Sequence, residues 1–159
     1  MELRPPTLED VEQVRVWRNQ SLYAFRTPYP LTKEMQEDFY ERIVNNREHN
    51  SRWWSVYTDR FVGLAGLTDI EWENGLAQIS LVIHPLGKGY GKKAFEMVLD
   101  EAFGNMGLVT VYGECYECNP AVEFWRKVTN ERGGYITTIP RRKRWQGKLY
   151  NAIHFSIWR

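Results

Sequence analysis

The stretch from Ile79 to Phe103, ISLVIHPLGKGYGKKAFEMVLDEAF, constrains the rest of the chain more than any other. An apolar strand ends in a turn carrying Gly87, Gly89 and Gly91, and the turn opens directly into an amphipathic helix. Alternating glycines let a backbone take conformations closed to other residues and come close to a ligand. A helix start leaves N–H groups without partners and favours negative charge. Lys88, Lys92 and Lys93 add positive charge at the same point. Such a turn suits phosphate or pyrophosphate.

The elements around this turn decide what it belongs to. Trp53–Thr58 and Phe61–Trp72 are rich in aromatic and β-branched residues and are separated by a tight turn at Asp59–Arg60. Asn74–Gly75 is the strongest hairpin signal in the chain. It leads into Leu76–His84, where Ala77, Ile79, Leu81 and Ile83 alternate with Gln78, Ser80, Val82 and His84. Three antiparallel strands are therefore expected before the glycine turn. A helix over 90–104 carries Ala94, Val98 and Ala102 on one stripe, with Phe95, Leu99 and Phe103 beside it. A strand over Val109–Gly113 follows, parallel to the one before the turn because a crossover helix joins them.

Upstream, Leu3–Arg4 reads as a short strand. Thr7 and Asp10 form a capping-box pattern before a helix over 8–19. Pro28 and Pro30 force a loop, and Thr32 caps a second helix with Met35, Phe39 and Ile43 on its apolar stripe. Downstream, a helix over about 120–129 and strands Tyr135–Ile139 and Tyr150–Ile157 finish the chain. The fold class expected is α/β, a mixed and mostly antiparallel sheet with a central parallel strand pair and helices on both faces. With 159 residues, 43% apolar and 26% charged, residues 1–159 fit one soluble domain. A net charge of +1 gives no general case for nucleic acid, and no apolar run approaches membrane-spanning length. Two cysteines and no apolar leader point to the cytoplasm.

A Walker P-loop requires a hydroxyl after its lysine, and here Lys92 is followed by Lys93. Gly89-Tyr90-Gly91-Lys92-Lys93-Ala94 does match the dinucleotide pattern G-x-G-x-x-A, with Glu114 near the end of the next strand. A dinucleotide fold needs further parallel units, whereas antiparallel hairpins precede this one and too little chain follows it.

The order helix, helix, antiparallel strands, strand–glycine turn–helix, strand, helix, two strands resembles the GNAT superfamily of N-acetyltransferases over nearly the whole chain. Family members carry Gln/Arg-x-x-Gly-x-Gly at this turn. Here Leu86-Gly87-Lys88-Gly89-Tyr90-Gly91 keeps the glycines and replaces the leading residue by Leu86. A second landmark, Asn119, Ala121, Phe124, Trp125 and then Gly133-Gly134-Tyr135, resembles the family pattern Asn-x-x-Ala-x-x-Leu-Tyr-x-x-x-Gly-Phe.

The resemblance implies acetyl-CoA as donor, no metal, and transfer to a primary amine by direct attack in a ternary complex. The amine would belong to an amino sugar, a small molecule or a protein N-terminus. It also implies that Val82, Ile83, His84, Gly87, Lys88, Gly89, Tyr90, Gly91, Lys92 and Asn119 bind the donor, with backbone amides near Val82–His84 stabilising the carbonyl oxygen. Asn119 before Pro120 is equally an ordinary helix cap.

In many relatives the position of Trp125 is a tyrosine that protonates the departing thiolate, which tryptophan cannot do. Tyr112, Tyr116 and Tyr150 are the substitutes considered, and water is the other. Glu114, five residues before Asn119, is the first candidate for the base that deprotonates the amine, and His84 the second. Relatives often carry Glu where Gln78 stands.

Arg18-Asn19 after Trp17 resembles a Trp-Arg-Asn seen in acetyltransferases of nucleotide-linked amino sugars. The closest overall pattern is the ribosomal-protein N-terminal branch. Arg141-Arg142-Lys143-Arg144-Trp145 reads either as a solvated hairpin loop or as a site for an acidic substrate or RNA. Arg18, Asn19 and Arg142 are the acceptor-binding candidates, and a homodimer is compatible with the family.

Cys115-Tyr116-Glu117-Cys118 has the spacing of a redox pair or half a zinc site, but His49, His84 and His154 are scattered and incidental thiols are favoured. Two rival classes remain: a CoA-binding module without transferase activity, and an RNA-binding protein using the basic run.

Overall fold

In the computed structural model, which describes residues 1–159, strand β1 (Glu2–Arg4) pairs antiparallel with β2 (Arg52–Tyr57). β2 pairs with β3 (Phe61–Glu71), and β3 with β4 (Leu76–Ile83), both antiparallel. After the glycine turn and a crossover helix, β5 (Thr110–Tyr116) lies parallel to β4. The chain closes with β6 (Tyr135–Trp145) and β7 (Lys148–Trp158), and β7 inserts between β5 and β6. The result is a seven-stranded sheet of order β1-β2-β3-β4-β5-β7-β6; its mixed, mostly antiparallel character and its central parallel pair agree with the expected fold class.

Helices α1 (Leu8–Asn19) and α2 (Lys33–Phe39) cover one face. Helices α3 (Tyr90–Asp100) and α4 (Ala121–Glu131) cover the other. Both α2 and α3 close in a wider turn of five residues, reaching Val44 and Asn105. The larger core lies under α3 and α4. There Phe95, Val98 and Leu99 pack over Leu67, Ala77, Val111, Ile153 and Phe155. Burying each large side chain contributes about 1.5–3 kcal/mol. A smaller cluster under α1 joins Val11 and Val14 to Leu64, with Trp17, Phe39 and Trp53 around it.

The capping box forms at α1: Asp10 N–H donates to Thr7 Oγ1, and Thr7 N–H donates to Asp10 Oδ2, both at 3.2 Å. Asp10 also accepts from Ser55 Oγ and Tyr57 OH at 2.7 Å, so the cap ties α1 to β2.

Four expectations shift. Met35 is exposed; the buried residue of α2 is Gln36, whose Nε2 donates to the Val11 carbonyl at 2.7 Å. A hydrogen bond substitutes there for an apolar contact. β5 runs three residues beyond Gly113 to Tyr116, because β7 pairs with it along its full length. Glu114 therefore stands inside the strand. Finally, β6 and β7 extend past the expected limits into a long hairpin. It turns at Gln146 and Gly147, both at positive φ (47° and 76°), which matches the twist of tight hairpin turns. The basic run is therefore strand, not loop. No helix is long and apolar enough to cross a membrane.

Candidate active site

β4 and β5 separate almost as soon as they pair. Their register covers only Leu76–Gln78 against Thr110–Tyr112, while β4 continues to Ile83 and β5 to Tyr116. Beyond Gln78, β4 stays paired to β3 but not to β5. Alternate backbone groups of this stretch, with Val82 and Ile83 at its end, face the gap. At the mouth of the gap lies the glycine turn. Gly87 and Gly89 take φ of 77° and 73°, which side-chain-bearing residues rarely adopt. A Cβ at either would point into open space, with nothing within 4 Å. The turn thus presents bare backbone at the N-terminus of α3, as a pyrophosphate requires. Gly91 differs: it lies in the first turn of α3, and a Cβ there would rest 3.8 Å from Phe124. Tyr90 packs partly against the main core, and Lys88 is exposed. Lys92 Nζ is paired with Glu131 of α4 at 2.7 Å.

Glu114 points from β5 to the face opposite α3 and α4. Its register partner is His154, and its side chain is only 10% exposed. Arg142 reaches it from β6, with Nε 3.2 Å from Oε1 and 3.1 Å from Oε2. The acceptor candidate Arg142 is thus the partner of the base candidate Glu114. Tyr112 and Tyr116 share this face by strand alternation. Burial raises both phenols above their ordinary range; Asp69 adds to the effect at Tyr112 and Glu114 at Tyr116. Both stay protonated at neutral pH. Tyr150 lies on β7 opposite Lys143.

His84 stands elsewhere. It lies six residues past Gln78 on the line of β4, about 20 Å along a strand, whereas Glu114 lies two residues past Tyr112. Its ring stacks on Trp17 at 4.9 Å, and Trp17 stacks on Phe61 at 5.5 Å. These rings line a cleft of about 520 Å³ with Glu9, Asp10, Gln13, Tyr57 and Arg60. The structure does not bring the two base candidates together.

Asn119 caps α4: its Oδ1 accepts from Ala121 N–H at 3.0 Å. Trp125 is buried on the α4 side, stacked on Phe155 at 4.6 Å and edge-on to Phe95 at 6.0 Å. The Phe155 ring in turn lies over Gly113, where a Cβ would come within 2.4 Å of it. Trp125 therefore fills core on the sheet face opposite Glu114.

Burial pushes the Cys115 thiol up to about 12 and raises Cys118 as well. Cys118 Sγ also donates to the Tyr23 carbonyl at 3.4 Å. Both are free thiols with little thiolate character, and no cluster of His, Cys, Asp and Glu is placed to hold a metal ion.

The loop after α1 closes over the Glu114 face. Asn19 clamps it: Nδ2 donates to the Leu31 carbonyl and Oδ1 accepts from Leu31 N–H, each at 2.9 Å. These bonds commit its side-chain amide to the loop. Arg18 lies 4.5 Å above the Phe25 ring with its Nε buried and unpartnered, and burial lowers its basicity. Lys143 is buried and donates from Nζ to the Phe25 carbonyl, facing the Tyr116 and Trp145 rings.

Arg26 has no local sequence signal, yet it acts on both Tyr112 and Tyr116. With its amide oriented to satisfy both ends, Gln78 donates to Asp69 Oδ2 (3.1 Å) and accepts from Arg26 Nη2 (3.2 Å). The basic run is thus divided. Lys143 turns inward and Arg142 pairs with Glu114, while Arg141, Arg144 and Lys148 stay exposed.

A strand gap entered from a bare glycine turn, with ionisable groups on one side, defines an acyl-CoA-dependent transferase fold. The family model of the acetyltransferase (GNAT) domain matches residues 1–123. The chain belongs to the GNAT family of acetyltransferases, and acetyl-CoA is its donor. An uncharacterized N-acetyltransferase, p20, of Bacillus licheniformis is 23% identical over 98% of this chain and 90% of its own length. The crystal structure of spermidine N-acetyltransferase from Vibrio cholerae in complex with CoA and spermine superposes with a TM-score of 0.84. It is 19% identical, over 99% of this chain and 94% of that one. A dodecameric form of that protein in an intermediate state gives 0.79 at 19% identity, over 99% and 92%.

Proposed function

We propose that residues 1–159 form one N-acetyltransferase domain that moves the acetyl group of acetyl-CoA to a primary amine by direct attack in a ternary complex. The observation that carries this reading is the early parting of β4 and β5, with the glycine turn at one end and the Glu114 carboxylate beside the gap.

The N–H groups at the start of α3 hold the pyrophosphate, and the unpaired edge of β4 aligns the thioester chain. The acceptor approaches from the α1–α2 and β6–β7 side. Glu114 takes a proton from the ammonium, and the freed nitrogen forms a bond to the thioester carbonyl carbon. Backbone N–H groups of β4 near Val82–His84 stabilise the charge on the oxygen. The C–S bond then breaks, the nitrogen loses its second proton, and the sulfur leaves as thiolate and is protonated. Tyr112, Tyr116 and Tyr150 are the hydroxyls on that face. A thiolate is a good enough leaving group for water to serve as well. Arg142 yields part of its hold on Glu114 to the incoming ammonium.

The Vibrio cholerae neighbour, crystallised with CoA and spermine, supports a small amine as acceptor. Its dodecameric form supports self-association, which gel filtration tests. Thiol release from acetyl-CoA against amino sugars, polyamines and short peptides tests the activity. Stabilisation by CoA without thiol release for any amine would leave only a CoA-binding module.

A further inference from the structure

Two cations on the Glu114 face have no carboxylate partner. Glu114 is matched by Arg142. Asp69 is set against Arg26 through the Gln78 amide. That leaves Arg18 and Lys143, which take part in none of the ion pairs of the protein.

Both converge on Phe25, Arg18 against its ring and Lys143 on its carbonyl. Lys143 is only 6% exposed, and Arg18 keeps Nε buried without a hydrogen bond. A buried cation with no counter-charge is costly, and such arrangements persist where something else supplies the charge. No residue of the chain does so here. The Nη atoms of Arg18 are not enclosed, so an anion arriving from outside has donors to meet.

We infer that the acceptor is an amine that also bears an anionic group, a phosphate or a carboxylate, held between Arg18 and Lys143 while its nitrogen reaches Glu114. This rests on the transferase reading above and deepens it. A guanidinium with an adjacent ammonium is a strong receiver for either anion, through charge-assisted hydrogen bonds. The same two charges repel a polycation, so spermidine, the substrate named for the Vibrio cholerae neighbour, is a poor acceptor for this chain.

Matched pairs of amines test the inference: glucosamine 6-phosphate with glucosamine, β-alanine with its amide, and spermidine alone. The thiol-release kcat/KM is expected to favour the anionic member of at least one pair by about 10-fold or more. The pair that shows the preference distinguishes phosphate from carboxylate. Arg18→Gln should bring the preference below about 3-fold, acting mainly through KM. Lys143→Met removes the other cation of the site and keeps an unbranched side chain in its buried place. It should likewise bring the preference below about 3-fold and is the variant to read if Arg18→Gln fails to fold; a preference that survives in it would overturn the inference.

Equal rates within both pairs, a preference for spermidine, or a preference that survives in folded Arg18→Gln would overturn the inference. If no amine releases thiol, the transferase reading fails instead. Calorimetric titration of each pair onto CoA-saturated protein then still decides: tighter binding of an anionic member supports the charge inference, and equal binding overturns it.

Discussion

The donor side and the acceptor side of the β4–β5 gap are built in different ways. The donor side is one continuous piece of chain whose working groups are backbone. Gly87 and Gly89 expose N–H groups at the start of α3, and α3 is fixed by the main core and by pairs of Lys92 with Glu131 and Glu96 with Arg132. The acceptor side is assembled from side chains far apart in sequence. Arg142 meets Glu114 across 28 residues, and Lys143 meets Phe25 across 118. Substitution can therefore redirect the acceptor side while the donor side stays fixed. Donor recognition is tied to conformation and acceptor recognition to charge.

Substitutions that separate conformation from charge can break this comparison. The largest effect is expected at Gly89. Valine there must enter the left-handed region and crowd the bare backbone, so CoA affinity should fall by about 100-fold in calorimetry. Unchanged affinity would sink the donor-side model. Gly91→Ala, at a helical position with 3.8 Å of clearance, should keep CoA affinity within about 3-fold.

Gly113→Ala comes next. Its Cβ would lie 2.4 Å from the Phe155 ring, which Trp125 holds from the other side, so stability should drop by about 1–3 kcal/mol in urea unfolding.

A smaller effect is expected in alkali. The Cys115 thiol sits at about 12 in the fold against an ordinary 9.0. Its raised value means stability is fully present below about pH 9 and declines toward pH 12, as the unfolded chain loses the proton first. Unfolding midpoints across that range should fall less steeply in Cys115→Ala; identical slopes would contradict the burial.

The smallest effect is expected at Lys92. Its pair with Glu131 is half exposed, so Lys92→Ala should leave thermal stability nearly unchanged and weaken CoA by only about 2- to 5-fold, less so in high salt.

How far the sequence could be read follows the same division. Strand alternation and the Asn74–Gly75 turn located β3, β4 and the glycine turn, because their signals are local and their partners adjacent. The limits of β5, β6 and β7 carry no such signal: strand length there is set by the pairing of β7 with its two neighbours, which no local pattern records. Gln36 took a buried place expected of an apolar residue because the Val11 carbonyl satisfies it. On the acceptor side, Glu114 and Arg142 could each be named from sequence, but not their pairing. Arg26, isolated in a loop, gave no signal. Asn19 was visible as a residue of interest, while its clamp on Leu31 depends on how the loop folds back.

The division of labour itself is tested most directly by Glu114→Gln, with CoA affinity and turnover measured on the same protein. We expect the CoA Kd to stay within about 2-fold while kcat for the best amine falls by about 100-fold or more, most strongly at low pH where the amine is protonated. Turnover close to that of the unaltered protein across the pH range would contradict Glu114 as the base. A loss of CoA binding in step with turnover would contradict the separation of donor and acceptor sides.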